Sequence, residues 1–175
     1  MNLFQAIETR YSHKETFLPN PIPLANLQRI AHAGLAAPSG NNSQQVKLVI
    51  LPDRAAVEPF YGIHQNKALQ TAPAGIALLT DNAMVDERKR RWNFEKEDYA
   101  AACQNMLLAA TALGYASLWL DSPFFDEGKQ NAALALLNAP EGCHLYALLP
   151  IGLPNGEGTR REKLPYEERL FYGKF

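Results

Sequence analysis

Apolar and polar positions alternate along the chain with first a helical and then a strand-like period. Residues 2–9 place their apolar side chains on one helical face, and Asn2 precedes them as a candidate N-cap. Residues 24–35 carry a second helical stripe, which has to end soon afterwards because Pro38 and Gly40 do not continue a helix. The N-terminal part of the chain is therefore predicted to be helical.

Four short apolar runs beyond this point predict β-strands, at residues 46–51, 75–80, 116–121 and 143–151. The segments between them predict helices, at residues 54–62 with an interruption at Pro59, at 99–113 and at 126–137. The helix at 99–113 is apolar nearly all round, which is typical of a buried central helix. Strands and helices together indicate an α+β chain.

Composition limits the possible classes of protein. The 175 residues fit a single domain spanning 1–175, with 47% apolar and 20% charged residues. The net charge of −1 gives no overall attraction to nucleic acid or to a membrane surface. We find no secretory leader and no apolar run long enough for a membrane span, and the two cysteines lack a CxxC spacing. We therefore expect a cytoplasmic protein without membrane or nucleic-acid partners.

Two basic clusters are candidates for an anion site. Arg10, Ser12 and Lys14 follow the first predicted helix at alternate positions, so in an extended segment they share one face while Tyr11 and His13 face elsewhere. A guanidinium, a hydroxyl and an ammonium on one face suit a phosphate, although a solvated turn is the alternative. In the tail, Arg160, Arg161 and Lys163 lie at similar spacing, and they join this site only if the tail folds back.

Two other stretches have a functional and a plain interpretation. Residues 37–44, APSGNNSQ, offer many small hydrogen-bonding groups that suit a sugar or polyol chain, or they form a simple turn. Residues 87–94, ERKRRWNF, combine cations with aromatic rings as single-stranded nucleic-acid sites do. The acids that flank this second stretch favour ion pairing on an exposed helix instead.

Common catalytic motifs are absent from the sequence. There is no GxGxxG, P-loop, GxSxG or HExxH motif, and the four histidines lie on separate predicted elements. No metal site and no catalytic set of side chains is therefore expected. Any chemistry would have to be supplied by a cofactor.

Four motifs in order resemble those of the FMN-dependent nitroreductase family. They are the N-terminal Arg-x-Ser-x-Lys, the Pro-Ser-x-x-Asn-x-Gln segment, the helix ACQNMLLAATALG and the strand end Pro-x-Gly followed by Arg-x-Lys-x-Pro. In this chain they occupy residues 10–14, 38–44, 102–114 and 150–165. The resemblance runs along essentially the whole chain.

The resemblance implies a mostly antiparallel sheet flanked by helices, in a homodimer whose C-terminal tail, residues 154–175, embraces the partner subunit. It implies FMN at the dimer interface, with the phosphate held by Arg10, Ser12 and two cations of the tail. Lys14 is expected at one flavin edge, and the loop from Pro38 is expected to come from the other subunit. The residues expected to contact the cofactor are Arg10, Tyr11, Ser12, Lys14, Pro38, Ser39, Gly40, Asn42, Gln44, Asn66, Lys67, Asp121, Ser122, Arg161 and Lys163.

The activity implied is that of an FMN-dependent oxidoreductase. NADH or NADPH would reduce the flavin at N5 in a ping-pong cycle, and a small organic acceptor such as a nitroaromatic or a quinone would take the electrons. The chain departs from the family at Gln45-Val46 and Ser122-Pro123, and residues 81–98 leave little room for a helical lid. Three alternatives therefore stay open: a flavin-binding module or sensor without turnover, another chemistry of the same fold such as dehalogenation or flavin degradation, and a non-flavin dimer.

Overall fold

A four-stranded antiparallel sheet forms the centre of the molecule. The structure is a computed structural model and describes residues 1–81 and 93–175. The strands are β1 (Val46–Leu51), β2 (Ala74–Asp81), β3 (Ala116–Ser117) and β4 (Cys143–Gly152), in the spatial order β1-β2-β4-β3. In register, Val49 lies opposite Ala77, and Ala77 lies opposite Leu148 on the other side. The predicted α+β fold with a mostly antiparallel sheet is confirmed.

Six α-helices are seen in the described residues: α1 (Leu3–Thr9), α2 (Leu24–Leu35), α3 (Arg54–Ile63), α4 (Lys67–Thr71), α5 (Glu95–Ala112) and α6 (Glu127–Leu136). Short 3₁₀ turns occur at Gly40–Asn42, Ser122–Phe125 and Tyr166–Glu168. No helix in the described part of the chain is both long and apolar enough to cross a membrane.

The sheet separates two hydrophobic clusters. On one face, α2 and α5 pack against side chains such as Ile76 and Leu78 of β2. On the other face, α3, α4 and α6 cover the alternate side chains Ala77 and Leu79. Because successive strand residues point to opposite faces, β2 is buried on both sides, which explains its nearly unbroken apolar sequence.

The boundaries predicted from sequence need three corrections. Pro59 does not interrupt α3, because buried Val57 and Phe60 hold both halves of the helix against the core while Pro59 lies on the exposed face. The third strand pairs regularly only at Ala116–Ser117 and then makes a single bridge from Leu120 to Leu148. Finally, α5 begins at Glu95 rather than at residue 99, so it includes part of the charged stretch.

Candidate functional site

The segment after α1 forms one wall of the candidate site. The side chains of Asn2 and Gln5 make a reciprocal capping box that starts α1, and the helix ends at Arg10. The chain then runs extended beside β3, where Ser12 bridges Ser117 and the His13 N–H donates to the Ser117 carbonyl at 3.0 Å. In agreement with the alternation read from sequence, His13 is buried while Ser12 and Lys14 are exposed.

Hydrogen bonds connect this segment to the start of the C-terminal tail. The Leu18 N–H donates to the Leu153 carbonyl at 2.9 Å, and the Asn155 N–H donates to the Thr16 carbonyl at 3.0 Å. The Asn155 side chain also donates to Thr16 Oγ1 at 3.1 Å. Residues 153–155 are thereby fixed next to the N-terminal segment, which directs the following tail residues back over it.

Both basic clusters line the same cavity of about 660 Å³. Its cations are Arg10, Lys14, Arg160, Arg161 and Lys163, its acids are Glu15 and Glu157, and its other lining residues are Ile7, Tyr11, Ser12, His13, Gln104, Gly158 and Thr159. The expectation that Tyr11 and His13 face elsewhere is therefore wrong, because both also line this cavity. The tail therefore folds back over the N-terminal segment, as the two basic clusters require if they are to bind the same anion. Five cations against two carboxylates give a site that favours an anion.

One of the two carboxylates is already paired. Lys67 Nζ lies 2.6 Å from Glu15 Oε2, and the hydrogen bond from Lys67 lowers the pKa of the Glu15 carboxyl. Lys67 begins α4, whose N-cap is Asn66: the Asn66 side-chain oxygen accepts from the Leu69 N–H at 2.8 Å. Lys67 therefore lies at the rim of the cavity, where it pairs with Glu15. The Asn66 side chain caps α4 instead of lining the cavity.

The loop from Pro38 to Gln44 lies apart from this cavity in the single chain. Pro38, Ser39 and Gln44 line a second cavity of about 420 Å³, together with residues of α2, β1 and α5. The loop has left-handed backbone at Asn41, Asn42 and Gln44, with φ between 51° and 54°. Asn tolerates this conformation, whereas for Gln44 it costs roughly 1–2 kcal/mol, so the loop shape benefits from contacts outside the loop.

Those contacts come from the first turn of α5. The buried carboxylate of Asp98 accepts from the Gly40 N–H at 2.7 Å, from Ser43 Oγ at 2.8 Å and from Gln45 Nε2 at 2.9 Å. The ring of Phe94 packs on Gly40 so closely that a Cβ at Gly40 would lie 2.6 Å from the Cβ of Phe94. Sequence reasoning missed Asp98 and Phe94.

Asp121 and Ser122 follow the irregular end of the third strand. They open a 3₁₀ turn in which the Phe124 N–H donates to the Asp121 carbonyl at 2.9 Å. Burial raises the pKa of the neighbouring Cys103 thiol well above its usual value, and the charge of Asp121 raises it further while that of Arg10 opposes the rise. Cys103 of α5 is thus within electrostatic range of both predicted site residues.

The donor set of the larger cavity fits the phosphate end of a flavin nucleotide. It contains guanidinium and ammonium groups, the Ser12 hydroxyl and the Gln104 amide, and its volume is in the range of cofactor sites. In residues 1–81 and 93–175 no group of three or more His, Cys, Asp or Glu side chains is arranged to hold a metal ion. The basic stretch Arg88–Trp92, on which the nucleic-acid interpretation depended, lies outside the described residues.

Comparison with known proteins decides the family. The model of the nitroreductase family matches residues 7–64 and 59–153, which is most of the chain. The chain belongs to the nitroreductase family. The resemblance seen in the sequence is thereby confirmed.

Individual relatives of this nitroreductase-family protein agree with that result. A candidate NADH dehydrogenase/NAD(P)H nitroreductase of Archaeoglobus fulgidus is 28% identical over 133 residues, covering 75% of this chain and 74% of its own. A crystal structure of a candidate NADH dehydrogenase/NAD(P)H nitroreductase from Bacteroides thetaiotaomicron has a TM-score of 0.84 at 24% identity, covering 99% and 98% of the two chains. A candidate nitroreductase from Desulfovibrio desulfuricans, solved in complex with FMN, has a TM-score of 0.81 at 24% identity and covers 100% and 98%. The two structural likenesses establish the nitroreductase fold.

Proposed function

We propose that this nitroreductase-family chain is an FMN-dependent oxidoreductase that uses NADH or NADPH to reduce small organic acceptors such as nitroaromatics or quinones. The observation that carries the proposal is the cavity in which the two ends of the chain, residues 10–14 and 160–163, place five cations around one space. A phosphate monoester carries about two negative charges, and each charge-assisted hydrogen bond to it contributes about 1.5–3 kcal/mol. The solved relative from Desulfovibrio desulfuricans contains FMN.

Each part of the proposed site has a separate task. Arg10, Ser12, Arg161 and Lys163 would bind the phosphate, and Lys14 would stabilise the negative charge that the ring system gains on reduction. Bound FMN would supply the redox chemistry, taking a hydride from NAD(P)H and passing electrons to the acceptor. The remaining proposed contacts are Tyr11, Pro38, Ser39, Gly40, Asn42, Gln44, Asn66, Lys67, Asp121 and Ser122.

A homodimer is part of the proposal. The tail from residue 154 leaves several large apolar side chains exposed in the single chain, among them Tyr166, Tyr172 and Phe175 at 76%, 87% and 104% of their full accessibility. The exposed Phe4 of α1, at 72%, adds to this apolar surface. Exposed apolar surface of this kind is typical of a subunit interface, so the tail would embrace a second copy. The loop at 38–44 would then reach the cavity of the partner.

We also propose a cytoplasmic location.

The colour of the purified protein tests the proposal. We expect a yellow protein that elutes as a dimer, is bleached by NADH or NADPH under anaerobic conditions, and regains its colour when a quinone or nitroaromatic is added. If neither nucleotide bleaches the colour, the protein would be a flavin-binding module without turnover rather than an enzyme. Failure of the apoprotein to bind added FMN would reject both flavin interpretations.

A further inference from the structure

Asp98 is a buried carboxylate whose hydrogen bonds to described residues go to the loop and to Gln45 directly after it. It lies in the first turn of α5 and is 3% exposed. Oδ1 accepts from the Gly40 N–H, and Oδ2 accepts from both Ser43 and Gln45. A buried carboxylate is stable only when it is well hydrogen-bonded, so Asp98 and the loop depend on each other.

The loop needs this support because of its backbone. Asn41, Asn42 and Gln44 all have positive φ. The two Asn residues tolerate this conformation, but Gln44 does not favour it, and within the loop its N–H donates to Ser39 Oγ at 3.2 Å; contacts from outside the loop supply the remaining support. Phe94 blocks the space beside Gly40, and Asp98 binds the backbone of the same residue. The first turn of α5 therefore holds Gly40 from two sides.

The geometry points to Asp98 as a positioning residue for the flavin. It would not touch the cofactor; it would fix the shape in which Pro38, Ser39, Gly40 and Asn42 meet the ribityl chain and the ring. The inference rests on the proposed FMN site and goes beyond it, because it assigns the geometry of the ring-facing loop to an acid that is far from the loop in sequence and bonded to it in space.

The chain offers a matched control one turn earlier on the same helix. Glu95 is also a buried carboxylate, at 7% exposed, but it accepts from the Tyr146 hydroxyl of β4 and not from the loop. Loss of either carboxylate should lower stability, whereas only loss of Asp98 should change the loop. Glu95→Gln therefore separates a general loss of stability from a specific loss of flavin affinity.

A conservative variant of Asp98 can restore the loop. The Gln45 Oε1 atom is buried and finds no hydrogen-bond partner among the described residues. In Asp98→Asn, the Gln45 amide can turn over so that this oxygen accepts from the new amide, and the Ser43 hydroxyl can donate or accept. We therefore expect Asp98→Asn to preserve the loop and Asp98→Ala to lose it.

Two ligands with the same ring and ribityl chain test the inference. FMN and riboflavin differ only in the phosphate, which lies at the other part of the proposed site. Titration of each apoprotein by flavin fluorescence should show both dissociation constants raised about tenfold or more, by the same factor, in Asp98→Ala. They should stay within threefold of wild type in Asp98→Asn and be unchanged in Glu95→Gln. Arg10→Ala should instead weaken FMN and leave riboflavin alone.

Several results would overturn the inference. Asp98→Ala with wild-type affinity for both ligands would do so, as would weakening of FMN alone, or equal weakening in Glu95→Gln. If Asp98→Ala does not fold, Ser43→Ala removes one of the three hydrogen bonds to Asp98. Unchanged affinities for both flavins in that folded variant would contradict the inference. A wild-type protein that binds neither flavin would reject the proposed function itself, and the inference with it.

Discussion

The ring of Tyr11 lies directly on the backbone of Gly158. A Cβ built at Gly158 would fall inside the space of this ring, 2.5 Å from Tyr11 Oη and closer still to its carbon atoms. Burial of the ring also raises the pKa of the Tyr11 phenol. The contact joins the N-terminal segment to the tail just before Arg160, so together with the hydrogen bonds of residues 153–155 it holds the cations of the tail at the cavity.

Replacement of Gly158 by Ala should therefore displace the tail and weaken phosphate binding. The methyl group cannot share the space of the Tyr11 ring, so Arg161 and Lys163 would move away from the cavity. Loss of one charge-assisted hydrogen bond of about 1.5–3 kcal/mol corresponds to roughly a tenfold to hundredfold rise in the dissociation constant of FMN. Riboflavin affinity, measured by the same fluorescence titration, should not change.

A double-mutant cycle isolates this contact. Tyr11→Ala makes room for the methyl group, so the effects of Gly158→Ala and Tyr11→Ala on FMN affinity should be clearly less than additive. Strict additivity of the two free energies would show that the ring and the glycine act independently. The packing argument would then be wrong.

Arg10→Ala should weaken FMN binding for a different reason. It removes one guanidinium from the cavity without moving the tail, and we expect a tenfold to hundredfold loss of FMN affinity. Salt should reduce the difference between wild type and variant, because it screens the Arg10–phosphate contact that only the wild type makes. Arg29→Ala, at an exposed position of α2, is the control; equal losses in both variants would reject the phosphate site.

Much of this arrangement could be read from the sequence, and the failures have a common cause. Strand β1 and the alternating exposure of Ser12, His13 and Lys14 follow from local periodicity, so they were predicted correctly. Asp98 was missed because its partners lie 53 to 58 residues away, and its neighbours indicated an exposed charged helix. Asp98 lies four residues before Ala102 on the buried face of α5, and this helical spacing was the one indication in the sequence that its carboxylate is buried.

Gly152 at the end of β4 should not tolerate a side chain. A Cβ there would lie 2.7 Å from the Phe17 ring and 2.8 Å from Pro73. Both neighbours are buried, so neither can yield freely, and overpacking of this kind costs about 1–3 kcal/mol. Urea unfolding of Gly152→Ala should show a loss of that size.

Gly62→Ala in α3 is the matched control for this substitution. A Cβ at Gly62 meets nothing within 4 Å, and alanine in a helix is favoured over glycine by about 0.5–1 kcal/mol. The control should therefore gain stability. A loss in Gly62→Ala as large as that in Gly152→Ala would contradict the steric explanation.

His144 should make the protein less stable in mild acid. Burial lowers the pKa of its imidazole, against a smaller opposing effect of Glu95. The ring Nε2 lies 3.0 Å from Gln130 Nε2, an amide nitrogen that can only donate, and the Gln130 oxygen is fixed by the Leu145 N–H. The folded protein therefore stabilises the neutral form of the His144 imidazole, whose ring nitrogen accepts from Gln130.

The sign of the pH effect follows from this shift. Below the ordinary histidine pKa of about 6.5 the unfolded chain binds a proton that the folded protein resists, so the free energy of unfolding falls as the pH falls through and below that value. Above it the contribution is fully present. Urea unfolding at pH 7.5, 6.5 and 5.5 should show a smaller acid loss for His144→Gln than for wild type. Because burial also lowers the pKa of His64, His64→Gln should remove a separate part of the slope. Parallel pH profiles for wild type and His144→Gln would contradict the assignment of this proton to His144.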